Sequence, residues 1–429
     1  MAENRRAGLL ALVLSAAVIR LTLAPLTAWP NDVATWVRLG WDVLAGYGPY
    51  DRLNFSYPPG WAAILALWLQ PLALVLPPQR WATIPEGGFT DQLVPHPLFL
   101  IVAKFPAILA DLGVGWLLYR QVRWAAALWL FNPLVIFVSA VHGQYDSFVS
   151  LTIALSLLGA LSGTVFTSGL ACGIGTALKF APVFTGPVIL AASLRRGFET
   201  GRLRQAATKG AEWMLGAALG LAPAVPFLHS AFMVVVSARL AAAAAGSDGL
   251  NPGALRRTPW GADWGFWSTW YPVLSQALLV LIPLLFALIV LWRGERALLP
   301  ATAGTVIAAI AFQPVTQPQY IVWLVPVALL SGSRLYAVVT TALAVPALLY
   351  YDGLVGNLVR FVSQPASVYL HWGSSLEATM ESYLDYLGQR GAFGGQSVSD
   401  SIALLGMLVS PVWVGLLFIS FWKALRDAR

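Results

Sequence analysis

YPVLSQALLVLIPLLFALIVLW, residues 271–292, runs for 22 residues without a charged side chain and is followed at once by Arg293. As an α-helix it would be about 33 Å long, enough to cross the roughly 30 Å hydrocarbon core of a bilayer. Working outward, comparable apolar runs recur at 7–28, 96–119, 124–141, 148–163, 166–180, 182–194, 211–234, 297–313, 319–332, 334–352 and 401–422. Helices satisfy their own backbone hydrogen bonds in lipid, so these runs predict an all-α, polytopic transmembrane protein of about 12 spans. The whole composition agrees. Of 429 residues, 58% are hydrophobic and only 10% charged. Soluble domains carry about 25% charged residues, so a water-soluble fold, a disordered chain and a coiled coil are all excluded.

The net charge of +7 does not point to nucleic acid, because the basic residues sit in short clusters between apolar runs. Arg5/Arg6, Arg120/Arg123, the stretch 195–209, Arg293/Arg296, Arg334 and Lys423/Arg426 fall between alternate pairs of spans, as cytoplasmic loops do. Both termini are then cytoplasmic. The prevalence of Arg over Lys suggests a prokaryotic genome, hence a prokaryotic cytoplasmic membrane. Arg5/Arg6 and the apolar run behind them resemble a signal peptide, but the run resumes beyond Arg20 to Ala28 and reads as a first span. Segment 58–77 is long enough to cross, yet one crossing there would put Arg120 and Arg123 outside. It is read as a re-entrant or interfacial hairpin within a long external segment, 29–95. A single cysteine, Cys172, and four scattered histidines argue against a disulfide framework and a metal centre.

Ionisable residues at or in the membrane are costly, so their positions carry the functional information. Asn31-Asp32 precedes a stretch in which Val33, Trp36, Val37, Trp41 and Leu44 recur at helical spacing, with Thr35, Arg38 and Asp42 opposite. That pattern predicts a helix lying flat on the outer leaflet. Asp32 is either its N-cap or a carboxylate held at the boundary between water and lipid. Tyr50-Asp51-Arg52 is followed by Tyr57-Pro58-Pro59-Gly60, a rigid corner entering the next helix. In FNPLVIFVSAVHGQYDS, 131–147, a helix broken at Asn132-Pro133 ends at His142-Gly143 and would present Gln144, Tyr145 and Asp146 at the external surface. Asp146 or Ser147 is alternatively the cap of the following helix. Lys179 is either a cation snorkelling to headgroups or a fixed charge for an anionic ligand. Lys104 and Asp111 lie two turns apart in one span and are assigned a structural role, paired with each other or with neighbouring helices. The aromatic segment 259–272 reads as an interfacial belt or a cover for a sugar or carrier, and Glu377, Glu381 and Asp385 as a solvated face.

These residues, in this order, resemble the GT-C superfamily of glycosyltransferases that use polyprenyl-phosphate sugars. They are most similar to the catalytic subunit of the first GPI mannosyltransferase and to prokaryotic mannosyltransferase-like proteins. The likeness is carried by Asp32, GYGPY (46–50), YPPGW (57–61), KFPAILADLGVGWLLYR (104–120), FNPLVIFVSAVHGQYDS and ALKFAPV (177–183), and more loosely by QPQYIVWLVP (317–326). It spans about the first 195 residues, so 1–195 is taken as a catalytic module and 196–429 as a variable transmembrane region with external loops 235–270 and 353–400. The family's first-loop acidic pair is reduced here to Pro30-Asn31-Asp32. The resemblance implies a hexosyltransferase, mannose being the expected sugar, with inverting single displacement on the extracytoplasmic face. It implies Asp32 as general base and Lys179, with Arg38 and Arg52, at the donor phosphate. His142, Gln144, Tyr145, Asp146, Tyr57, Gln319 and Tyr320 would bind sugar or acceptor. A polyprenyl-phosphate sugar donor, a lipid or glycan acceptor and the bilayer are the expected partners, with room for a small membrane subunit. No cofactor or metal is assigned, though a divalent ion is compatible with the chemistry. The rival readings are a transporter or flippase of lipid-linked sugars and a non-catalytic assembly partner.

Overall fold

The computed structural model describes residues 2–52, 55, 57–83, 93–199, 201, 203–231, 233–234, 237, 250, 252, 270–313, 316–355, 365–366, 368–369 and 398–426. The described chain is helical apart from a two-residue antiparallel pairing, β1 (Ala82–Thr83) with β2 (Val94–Pro95), in register Ala82 to Pro95 and Thr83 to Val94. Of the expected external loops, 235–270 and 353–400 lie almost wholly outside the described residues, as do Glu377, Glu381, Asp385, Trp260, Trp264 and Trp267.

Among the described residues five helices are long and apolar enough to span a membrane: Pro97–Gln121, Tyr271–Arg293, Glu295–Phe312, Arg334–Tyr351 and Leu405–Arg426. A sixth is the pair Arg123–Leu130 and Pro133–His142, bent by 51° at Asn132. Ala7–Leu23, Gly60–Val75, Asp146–Ser162, Val165–Leu178 and Pro318–Leu330 are apolar but shorter. The count of about 12 spans is therefore not reached by length and composition among the described residues. Burial runs opposite to that of a soluble protein. The most apolar span, Tyr271–Arg293, is only 33% buried, whereas the less apolar Glu295–Phe312 is 78% buried. Val280, Leu281, Leu284 and Leu288 stand exposed along one side of the former. In water such a stripe would be a large apolar patch; in lipid it is solvated, and a polytopic membrane protein follows.

The contacts divide the chain into two compact units, the first comprising Met1–Phe55, Trp61–Phe148 and Ala344–Ser401, the second Ser56–Gly60, Val149–Leu343 and Ile402–Arg429. These limits differ from the sequence division at 195.

In the first unit, α1 (Ala2–Leu23) leads to α2 (Pro30–Leu44), α3 (Gly60–Val75) and α4 (Pro97–Gln121). Segment 58–77 is not a hairpin: α3 is one continuous helix, burying Trp61, Leu65, Leu69 and Leu72 and exposing Leu67, Leu74 and Val75. The amphipathic helix expected at 33–44 forms, but its apolar side packs on protein and does not lie open to a leaflet. Val33, Trp36, Val37 and Leu39 are fully buried, and a Cβ on Gly40 would come within 2.8 Å of Trp81 and 2.9 Å of Leu69. Helix α4 starts at Pro97, with the His96 ring accepting from the Leu98 N–H at 3.1 Å. Next come α5 (Arg123–Leu130), α6 (Pro133–Ile136) and a π-helical turn, Phe137–His142. Asn132 supplies the cap that the break requires, its side-chain oxygen accepting from the Leu134 and Val135 N–H groups.

The second unit holds α7 (Asp146–Ser162, from residue 149), α8 (Val165–Leu178), α9 (Ala181–Glu199) and α10 (Leu203–Leu221). Beyond them lie the four-residue α11 (Leu228–Ala231), α12 (Tyr271–Arg293), α13 (Leu298–Phe312), α14 (Ile321–Leu330), α15 (Arg334–Ala342) and most of α17 (Val398–Arg426). Helix α16 (Ala344–Val355) belongs to the first unit. Helices α8 and α10 meet through two facing small-residue pairs, Gly169/Gly173 and Gly216/Gly220. A Cβ at Gly169 would stand 2.0 Å from the Trp213 carbonyl oxygen, and one at Gly216 would stand 2.2 Å from that of Phe166. In lipid, where apolar burial gives little drive for association, such close backbone approach supplies the packing. Gly169→Ala is expected to push the two backbones apart and cost about 1–3 kcal/mol by overpacking. A lowered thermal midpoint in detergent is the check.

Candidate functional site

The carboxylate of Asp32 lies in the first turn of α2, where the helix N-terminus favours an anion. It is not the cap: Trp29 occupies that position, with Pro30 at the first helical residue. Two side chains from the end of the π-helical turn reach its Oδ2, His142 through Nε2 at 2.5 Å and Gln144 donating through Nε2 at 2.7 Å. The Asp32 side chain keeps 24% of its surface exposed while that of His142 keeps 1%. A carboxylate oriented from behind and open in front is thus produced by residues 110 and 112 positions apart.

The chain turns at Gly143 to bring this about. Its φ of 89° is unstrained only for glycine, and a Cβ would come within 3.0 Å of both Lys104 Cε and Val33 Cγ2. Lys104, fully buried, donates to the carbonyl oxygens of Ala24 (3.0 Å), Ala140 (2.8 Å), Val141 (3.2 Å) and, very closely, Thr27. One ammonium therefore fastens the segment after α1 to the π-helical turn. The Trp29 N–H donates to the His142 carbonyl at 3.2 Å and the Trp36 indole to that of Gly143 at 3.1 Å, so Asp32 and His142 are placed by the same seam.

His142 is enclosed by the rings of Trp29, Phe137 and Tyr351, with centroids 5.3, 5.9 and 5.2 Å away. Its Nδ1 is buried and has no hydrogen-bond partner among the described residues, and the same holds for Gln144 Oε1. The expected surface lip is instead interior: Gln144, Tyr145 and Asp146 are all fully buried. Tyr145 stacks on Trp61 at 4.4 Å and makes a T-shaped contact with Trp36 at 5.7 Å. The reason is that the π-helical turn and Gly143 fold these residues beneath α2, which apolar periodicity does not reveal.

Of the arginines expected at a phosphate, Arg52 lies toward the other end of α2. It is 4.0 Å from Asp42, over the ring of Tyr47 at 3.5 Å, with 55% of its side chain exposed. Arg38 is half-buried on α2, six residues beyond Asp32.

In the second unit Lys179 is the C-cap of α8, in extended conformation and 3% exposed, so it does not snorkel. The carbonyl end of α8 favours a cation at that position. Its Nζ lies over the rings of Tyr57 (5.0 Å), Tyr320 (5.3 Å) and Trp323 (5.9 Å). Tyr320 and Trp323 stack at 4.2 Å, and Gln319 is buried in the 3-10 turn Pro318–Tyr320 before them. The YPPG corner is docked here, since a Cβ on Gly60 would meet the Ala177 carbonyl oxygen at 2.5 Å. Cation and aromatic faces attract, more so when desolvated. Trp29, Tyr351 and Trp323 were not singled out from sequence; each is one tryptophan or tyrosine among many, with no spacing to mark it.

Among the described residues no group of three or more His, Cys, Asp or Glu side chains is arranged to hold a metal ion.

The family described as GPI transamidase subunit PIG-U matches residues 97–242, a segment that holds His142 to Asp146 and Lys179 but not Asp32. This is not the catalytic subunit of the first GPI mannosyltransferase. No curated protein matches the chain. Among solved structures it is similar to ArnT from Cupriavidus metallidurans, crystallised with undecaprenyl phosphate. That match has 14% identity, covers 98% of this chain and 77% of that one, and has a TM-score of 0.46.

Proposed function

We propose that this chain is an integral-membrane glycosyltransferase of the GT-C type, transferring a hexose, mannose foremost, from a polyprenyl-phosphate donor to an extracytoplasmic acceptor. The observation that carries this reading is the Asp32 carboxylate, fixed by His142 and Gln144 on one oxygen and reachable from outside. The acceptor hydroxyl forms a bond to the anomeric carbon as the bond from that carbon to the phosphate oxygen breaks. The hydroxyl proton passes to Asp32 and the electron pair leaves with the polyprenyl phosphate. A single displacement of this kind inverts the anomeric centre. A positioned base contributes about 10²–10⁴ to such a step. The departing phosphate is a good leaving group that needs its growing charge met. Gln144 is assigned to orienting Asp32, and the sugar and acceptor are received at the exposed side of the carboxylate.

A second reading, a non-catalytic subunit of a membrane complex, is favoured by the match to a transamidase subunit over 97–242. Purified full-length protein incubated with synthetic polyprenyl-phosphate mannose, glucose and galactose and a lipid acceptor separates the two. Transfer from one donor in preference to its epimers supports the enzyme. Absence of transfer from all three, with stable co-purification of other membrane subunits, supports the second reading.

A further inference from the structure

One end of the second unit gathers basic side chains from three helices, α9, α12 and α17, and most are already engaged. Arg196 pairs closely with Glu295 and donates to the Leu161 carbonyl at 2.5 Å. Arg195 is 3.3 Å from Glu199. Lys423 donates to Ser333 Oγ at 3.2 Å and lies over the Tyr336 ring at 4.9 Å. Among the described residues Arg293 and Arg426 make no such ion pair. Arg293 ends α12, and Arg426 ends α17. With Trp422 and Leu425 they line a cavity of about 410 Å³, a size that accommodates small ligands. The Arg293 guanidinium lies 3.8 Å over the Trp292 ring, yet its Nε is buried and has no hydrogen-bond partner among the described residues.

Arginines in a last helical turn commonly answer the carbonyl end of the helix. That role leaves unexplained why Arg293 Nε meets no carbonyl and why a second arginine faces the same cavity, where the described lining holds no acid. The guanidinium fork matches phosphate oxygens two at a time, and a buried donor without an acceptor is costly until such an oxygen arrives. Beside the two arginines stand Trp422, 54% exposed, and the apolar Leu425. Trp292 is exposed on the neighbouring helix end. Such aromatics favour headgroup level in a bilayer, and the basic cluster is what the cytoplasmic leaflet selects.

We propose that the cavity between the ends of α12 and α17 binds a phosphate group, carried by an anionic phospholipid of the adjoining leaflet or free in solution. Arg293 and Arg426 grip the phosphate oxygens, and Leu425 and Trp422 flank what is attached to them. This site is independent of the transfer chemistry proposed above.

The test uses the full chain in detergent, with retained lipid read by native mass spectrometry and thermal midpoint read in parallel. The additions are phosphatidylglycerol, phosphatidylcholine or inorganic phosphate. The wild type is expected to retain phosphatidylglycerol over phosphatidylcholine and to be stabilised by it. Arg293→Gln with Arg426→Gln should weaken that binding roughly thirtyfold, from the loss of two basic side chains near an anionic headgroup. Stabilisation by inorganic phosphate as strong as by phosphatidylglycerol, and lost in the double variant, supports the site with the free anion as its ligand. Should the double variant fail to fold, Arg426→Gln alone, at an exposed helix end, carries the comparison. Equal retention of the two lipids by the wild type with no effect of phosphate overturns the proposal, as does undiminished phosphatidylglycerol binding in the variants.

Discussion

Asp32→Asn is expected to lower turnover of the preferred polyprenyl-phosphate sugar by about 10²–10⁴, the contribution of a positioned general base. The amide keeps the size of the carboxylate, so α2 and its packing against Trp81 and Leu69 should persist and the thermal midpoint should move little. What disappears is the capacity to take a proton from the acceptor. The donor still binds, so the loss should fall on kcat more than on KM. His142→Gln is the informative companion. The ring lies behind the carboxylate, enclosed by Trp29, Phe137 and Tyr351 and 1% exposed, so it acts through Asp32 and not on substrate. Its replacement should reduce kcat less than Asp32→Asn does and alter the pH profile of kcat, which a purely structural residue would not. Unchanged turnover in Asp32→Asn would remove Asp32 from the role of base.

The second large effect concerns stability. Arg20 on α1 and Asp111 on α4 are both fully buried and joined at 2.8 Å from Nε to Oδ2. Arg20 also donates to the carbonyl oxygens of Leu130 (2.9 Å) and Ala16 (3.2 Å). Ser139 donates closely to the same carboxylate oxygen, and the Trp129 indole to the Asp111 carbonyl at 2.8 Å. Removing one partner strands a charge where water cannot reach it, and Asp111→Leu should cost about 3–5 kcal/mol. Adding Arg20→Met removes the stranded charge and should restore much of the loss, since an apolar pair of similar volume often serves as well as a buried ion pair. Thermal midpoints of the two single variants and the double variant in detergent decide it. A double variant as unstable as the sum of the singles would mean that the two residues act separately.

Much of the architecture was legible because a bilayer imposes rules that act on short segments. The uncharged run 271–292 is a helix, as predicted, because no other local structure satisfies its backbone in lipid. The spacing of Val33, Trp36 and Val37 made α2 readable, and Asn132-Pro133 marked the break between α5 and α6, since a proline cannot continue a helix and an asparagine can cap the next. The same local rules misjudged surroundings. They put α2 on a leaflet and Gln144 to Asp146 at the surface, because amphipathicity says that one face is apolar and not whether lipid or protein covers it. They made 58–77 a hairpin from charge arithmetic on Arg120 and Arg123, whereas the backbone there is one helix.

For the pairing of side chains the sequence was silent. Lys104 and Asp111 could be assigned a structural role from the cost of burying charge, but that Asp111 takes Arg20 while Lys104 takes four carbonyl oxygens depends on how α1, α4 and the π-helical turn cross. Hydropathy and helical period are properties of a segment and survive without the rest of the chain. A contact between Asp32 and His142, or between Arg20 and Asp111, depends on helices about 100 residues apart being packed to within an ångström. Such contacts exist only once the tertiary structure has formed. Sequence alone made this protein a bundle of membrane helices with costly polar residues near their ends. Folding decided which of those residues meet, because hydrogen bonds and ion pairs act over about 3 Å while the pattern that builds helices acts over a few turns.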